Sequence, residues 1–164
     1  MRSVDERQNI FVLSLVLFTA LFIQVHVLRY YSWLPDLVLL VVVFAGVHGG
    51  SSYGLIAGFA GGIARGLFSV YLLPIDVFVF PTIGIIAAVV SRMFNKDSAV
   101  TQLLVTAAAM FFLIFAHIMY LKVVSDNNLM LAASYAKSWK SIIVTVIVAP
   151  FVYSILKEFW RIDE

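Results

Sequence analysis

Hydrophobic and polar positions in this chain fall into long blocks rather than alternating residue by residue. The first apolar block, Asn9 to Leu28, contains no formal charge. It exceeds the roughly 7–15 apolar residues of a secretory leader and no small-x-small cleavage pattern follows, so it reads as a spanning helix. Gln24, His26, Arg29, Tyr30, Tyr31 and Trp33 read as its exit through an interface, where amphipathic rings collect. Pro35 and Asp36 open a second, short and very apolar block; proline suits a first helical turn and a carboxylate complements the positive helix end. His48-Gly49-Gly50-Ser51-Ser52 predicts a tight turn. Further blocks follow, with Pro81 and Pro150 inside the fourth and sixth, where kinks are expected. The predicted spans lie near 9–28, 35–48, 53–70, 75–93, 100–121 and 141–156. Lys122 to Lys140 is the one long connection, and its small and aromatic residues at helical spacing predict a short helix lying on the membrane.

The third block differs in character. Six of the nine glycines fall between Gly50 and Gly66. Gly54, Gly58 and Gly62 form two overlapping small-xxx-small steps on one face, with Gly61 and Gly66 beside them. In lipid such a face permits close backbone approach, so this helix is expected to be the most tightly packed and central to the bundle. The Gly58 to Gly62 stretch reads as packing and not as a phosphate loop, because no strand precedes it.

Composition sharpens the class. Of 164 residues, 63% are hydrophobic and 12% charged, against about 25% charged in a soluble domain. A soluble globule could not hide that much apolar surface. The expected architecture is an all-α integral membrane protein, a single bundle of about six transmembrane helices with a short interfacial helix. The apolar runs are continuous, which excludes a barrel. A net charge of +2, with basic residues scattered, is not a nucleic-acid footprint. The absence of cysteine removes thiol chemistry and disulfides. Arg2, Arg7, Arg92, Lys96, Lys157 and Arg161 on the terminal side outnumber Arg29, Lys122, Lys137 and Lys140 on the other. That narrow margin favours cytoplasmic termini and leaves the opposite orientation open.

Arg65 is the one charge clearly inside an apolar block, about a turn from its end. A charge at helix centre costs about 2.5–3.5 kcal/mol, less near the ends. Asp76 starts block four on the same side, and Arg29 and Asp36 belong there too. Two readings of Arg29, Asp36, Arg65 and Asp76 stand side by side. One is a snorkelling arginine with ordinary helix-start aspartates; the other is a polar cluster that docks a partner or substrate. His26, His48 and His117 are separate, lack metal spacing, and read as structural or interfacial. Paired buried carboxylates of the pump type are not expected, because both aspartates sit at block ends. No residue set argues for catalysis, a metal or a cofactor.

The stretch from Leu34 to Phe94 resembles the rod shape-determining protein family MreD. The resemblance rests on Leu34-Pro35-Asp36-Leu37-Val38-Leu39-Leu40, the following His/Gly turn, Gly54, Gly58-Phe59, Gly61-Gly62 and the Leu67-Phe68-Ser69 ending. It implies a non-catalytic inner-membrane scaffold subunit of the bacterial cell-elongation machinery. The partners it implies are MreC through membrane helices, with the MreB filament, the transglycosylase RodA and a class-B penicillin-binding protein in the same complex. Many members carry an acidic residue near the end of the glycine-rich helix, where this chain has Arg65-Gly66, so no role for that group is carried over. Two other readings are the substrate-binding S-component of an energy-coupling-factor vitamin transporter and an enzyme acting on lipid-linked substrates. The first would show an Ala-xxx-Ala surface in block one, which holds only Ala20. The second would need the Arg29/Asp36/Arg65/Asp76 cluster at an accessible interface.

Overall fold

The computed structural model describes residues 2–28, 35–68, 72–96, 98–124 and 128–160; of residues 2–9, 27–28 and 128–139 only the backbone is described. Among these residues the chain forms six helices: α1 (Arg2–Leu28), α2 (Leu37–Gly49), α3 (Ser51–Phe68), α4 (Leu73–Ser91), α5 (Ala99–Val124) and α6 (Asn128–Phe159). Three segments are long and apolar enough to cross a membrane: α4, α5 and the Lys140–Phe159 part of α6. Ile10–His26 and α2 are apolar but shorter.

The central helix is α2 and not the glycine-rich α3. Ten consecutive residues, Val38 to Val47, are buried on every side of α2. A helix that is apolar all round has no face suited to water and is driven to the middle. All five other helices touch it. Asp36 caps its start by accepting from Leu39 N–H at 3.1 Å, and Gly50 ends it. Gly50 has φ +85° and is the single residue between α2 and α3, a backbone state in which a side chain would be strained.

Glycine does set the seam between α3 and α4. A methyl on Gly58 would lie 2.5 Å from Pro81 Cα, one on Gly62 2.5 Å from Asp76 O, and one on Gly66 2.8 Å from Leu73 Cα. Gly54 and Gly84 meet backbone to backbone beside Gly46 of α2. Gly61 faces α2 instead, with Val38 Cγ1 at 2.9 Å. The opposite face of α3 is exposed at Ile56, Phe59, Ile63 and Leu67. The helix is thus packed on one side only, because its small residues form a face and not a girdle.

Two further expectations change. The connection from Lys122 to Lys140 is almost all helix: α5 runs to Val124 and α6 begins at Asn128. The expected interfacial helix and sixth span are one unbroken helix, since neither glycine nor proline occurs between Asn128 and Ala149 to stop it. Helices α4 and α6 also continue through Pro81 and Pro150. Hydroxyls serve carbonyls beside both prolines: Thr82 Oγ1 donates to Phe78 O at 2.7 Å and Ser154 Oγ to Pro150 O at 2.9 Å.

Helices α5 and α6 are joined by a buried hydrogen bond, 2.8 Å, between Thr106 and Tyr153. Trp160, just after α6, closes one end of the bundle. Its ring stands edge-on to Phe44 and Tyr53, with centroids 5.8 and 5.5 Å away.

Candidate functional site

At the other end, one residue from each helix or its cap converges. The local reasons are simple. Asp36 and Asp76 sit at the starts of α2 and α4, where a carboxylate faces the positive helix end. Arg65 sits in the last turn of α3, where a cation is favoured. The glycine seam then fixes the register: Gly62 lies against the Asp76 backbone, which puts Arg65 beside the Asp76 carboxylate.

Arg65 Nη1 donates to Asp36 Oδ2, and Arg65 Nε lies 3.7 Å from Asp76 Oδ2. One guanidinium therefore bridges two carboxylates. It also stands over the Phe80 ring, 5.3 Å from its centroid, a cation–π placement. Both aspartates are buried, Asp76 completely, while Arg65 is about a quarter exposed. Three of the four predicted residues are thus brought together; Arg29 lies outside the described residues. Both aspartates sit at helix starts, as read, but they are buried there and share one guanidinium. Helix ends need not be wet when longer helices, here α5 and α6, run past them.

Three members were not expected. Gln24 is buried and bonds both ways: its Nε2 donates to Asp36 Oδ1 at 3.2 Å and its Oε1 accepts from Val38 N–H at 3.0 Å. It is part of the interior and not an interfacial exit. Asp36 N–H donates to Thr145 Oγ1 at 2.9 Å. The His117 imidazole N–H donates to Asp76 Oδ1, with Nε2 2.6 Å away. His117 is therefore a member of the charged cluster. The missed signal is register. Gln24 continues the buried stripe Leu13, Leu17, Ala20; Thr145 begins the stripe Ala149, Tyr153, Leu156; His117 follows Thr106, Met110 and Leu113.

Donors from one helix meet acceptors from another throughout this node. That is the chemistry of a tie. Breaking a buried ion pair by removing one partner costs about 3–5 kcal/mol, because a charge is stranded. Both carboxylates lie off the surface, while Arg65 stays partly exposed. A separate apolar groove of about 210 Å³ runs between α1 and α3, floored by Ala57, Ala60 and Ala64. The glycine face itself is used up against α4 and is not free for a partner.

A seam of glycine backbones, an ion node inside the bundle and apolar helices define an all-α membrane protein. The sequence pattern of the rod shape-determining protein MreD matches residues 6–159, nearly the whole length. The chain belongs to that family, and its role lies in rod shape determination. No curated protein and no solved structure matches it. The vitamin-transporter alternative has no support in these comparisons.

Proposed function

We propose that this chain is a non-catalytic scaffold subunit of the bacterial cell-elongation complex, a six-span protein of the inner membrane with cytoplasmic termini. It binds MreC through membrane helices, and it belongs with MreB, RodA and a class-B penicillin-binding protein in one assembly that directs peptidoglycan synthesis and cell shape. The observation that carries this reading is how the polar groups are used. The charged side chains of the interior are turned on one another, and the glycine face is turned on α4. What the described helices offer outward is apolar surface such as Phe59, Leu104, Phe111 and Phe151. In a bilayer that surface meets lipid or another helix.

The experiment is co-purification from mild detergent, with and without co-expressed MreC. A stoichiometric complex is expected. Failure to recover it across several mild detergents overturns MreC binding. Cysteine labelling from either side of the membrane, at single sites placed at Lys96 and at Lys122, tests the topology. Labelling of the first from the cytoplasm and the second from outside is expected, and the reverse overturns the orientation.

A further inference from the structure

The groove between α1 and α3 has a length and a direction that the scaffold reading does not use. Its walls include Leu13, Leu17 and Leu21 of α1 and Ala57, Ala60 and Ala64 of α3. It follows α1 from Ile10 to Leu21, about 17 Å at 1.5 Å per residue. That is about half of the roughly 30 Å hydrocarbon core, the depth of one leaflet. The lining is apolar except for Ser14, whose hydroxyl already donates to Ile10 O at 2.8 Å. An occupant therefore needs no hydrogen-bonding group inside the groove. A volume of about 210 Å³ takes a stretch of one hydrocarbon chain. A helix with its side chains is about 10–12 Å across and does not enter.

One end of the groove is marked by charge. It stops at Ala64 and Leu21, one residue before Arg65 and three before Gln24. Arg65 keeps 23% of its side chain exposed, against 6% for Asp36 and none for Asp76. Both carboxylates sit behind it at the positive starts of α2 and α4, so the guanidinium is the outermost charge of the node. Farther out on the same side, Lys122 follows His117 and Lys140 precedes Thr145; both lysines are exposed. No acidic side chain is exposed there among the described residues. The fold thus turns the acids of this end inward and leaves cations outward. An arginine at this depth reaches toward the interface and suits phosphate oxygens.

We propose that this end of the bundle binds an anionic phospholipid: one acyl chain lies in the α1–α3 groove, and the headgroup phosphate rests on the exposed part of Arg65. Arg65 keeps its contacts to both aspartates, so nothing in the node rearranges. The chain fills the space between α1, which is fastened by side chains, and α3, which belongs to the glycine-packed part. The bound lipid is therefore a splint for α1. The proposal goes beyond the scaffold reading and stands whether or not MreC is the partner.

The test is photo-crosslinking of the full chain in phosphatidylcholine nanodiscs. The probes are phosphatidylglycerol and phosphatidylcholine carrying the same diazirine-bearing acyl chain, and adducts are mapped by peptide mass spectrometry. Phosphatidylglycerol adducts on residues 13–21 and 56–64 are expected to exceed severalfold those on the exposed stretches 111–115 of α5 and 151–155 of α6. Equal labelling of all four segments is ordinary surrounding lipid and overturns the site. In the groove, the phosphatidylglycerol probe is expected to label about threefold more than the phosphatidylcholine probe, the weight of one exposed ion pair. Equal labelling by the two probes overturns the headgroup contact. Arg65→Gln is expected to remove that preference and leave chain labelling in place; if this variant does not fold, the two-probe comparison on the unaltered chain still decides. Ala60→Leu, at an exposed position, fills the groove without entering the core and is expected to abolish the excess labelling. An excess that survives in a monodisperse Ala60→Leu protein overturns the proposal. Ala60→Cys in this cysteine-free chain tests the rival occupant: a near-complete disulfide dimer in the discs puts a second copy in the groove and overturns the lipid.

Discussion

Helices α2, α3 and α4 are held together differently from α1, α5 and α6. In the first group backbones touch: added methyls at Gly54, Gly58 and Gly62 would meet α4 backbone atoms at 2.5 Å. In the second group side chains do the holding. Single hydrogen bonds fasten Gln24 and Thr145 to Asp36, His117 to Asp76 and Thr106 to Tyr153. The difference teaches how a bilayer protein divides its stability. Lipid offers no hydrophobic drive between helices, so close packing of small residues must build the rigid part. Interhelical hydrogen bonds, each worth about 0.6 kcal/mol and at most about 1.7, attach the rest adjustably.

The largest test of that comparison is Gly58→Leu. The clash is with backbone at Pro81, which cannot swing aside. A loss of more than about 4 kcal/mol, or no folded protein, is expected in unfolding titrations in mixed micelles. Arg65→Gln comes next, at about 3 kcal/mol, since it strands two carboxylates but acts at a partly exposed side chain. Gln24→Leu removes one donor and one acceptor from the α2 start and is expected to cost about 1–2 kcal/mol by the same measurement. Tyr153→Phe loosens only the α5–α6 pair, by about 0.6 kcal/mol. Phe111→Leu, on the exposed face of α5, should stay within about 0.5 kcal/mol. If Gln24→Leu proves as damaging as Gly58→Leu, the division into a locked trio and tethered outer helices is wrong.

Much of this was legible before the fold was known. The apolar blocks read as helices because they are continuous, and Pro35-Asp36 marks where α2 starts; the turn expected over His48 to Ser52 shrinks to Gly50 alone, because both helices run into it. The grouping of Asp36, Arg65 and Asp76 at one end followed from counting block ends. Their direct bonding did not follow, nor did the part played by Gln24, Thr145 and His117. Those three look like isolated polar residues in apolar runs, and only their register with a buried stripe distinguishes them. The centre of the bundle was misplaced for a related reason. Small residues signal close approach on one face, whereas central position goes to the helix with no face that tolerates exposure, which is α2.

The sequence by itself determined the all-helical membrane character, the positions of most helix boundaries and the face by which α3 packs. These depend on local periodicity, backbone chemistry and transfer energy, all written within a few residues of each other. Only the tertiary structure decided that α2 is central, that α6 is one helix, and that residues 24, 36, 65, 76, 117 and 145 meet. Their meeting depends on how far each helix slides along its neighbour. That slide is set by interlocking surfaces such as the Gly62–Asp76 contact, which no single segment contains.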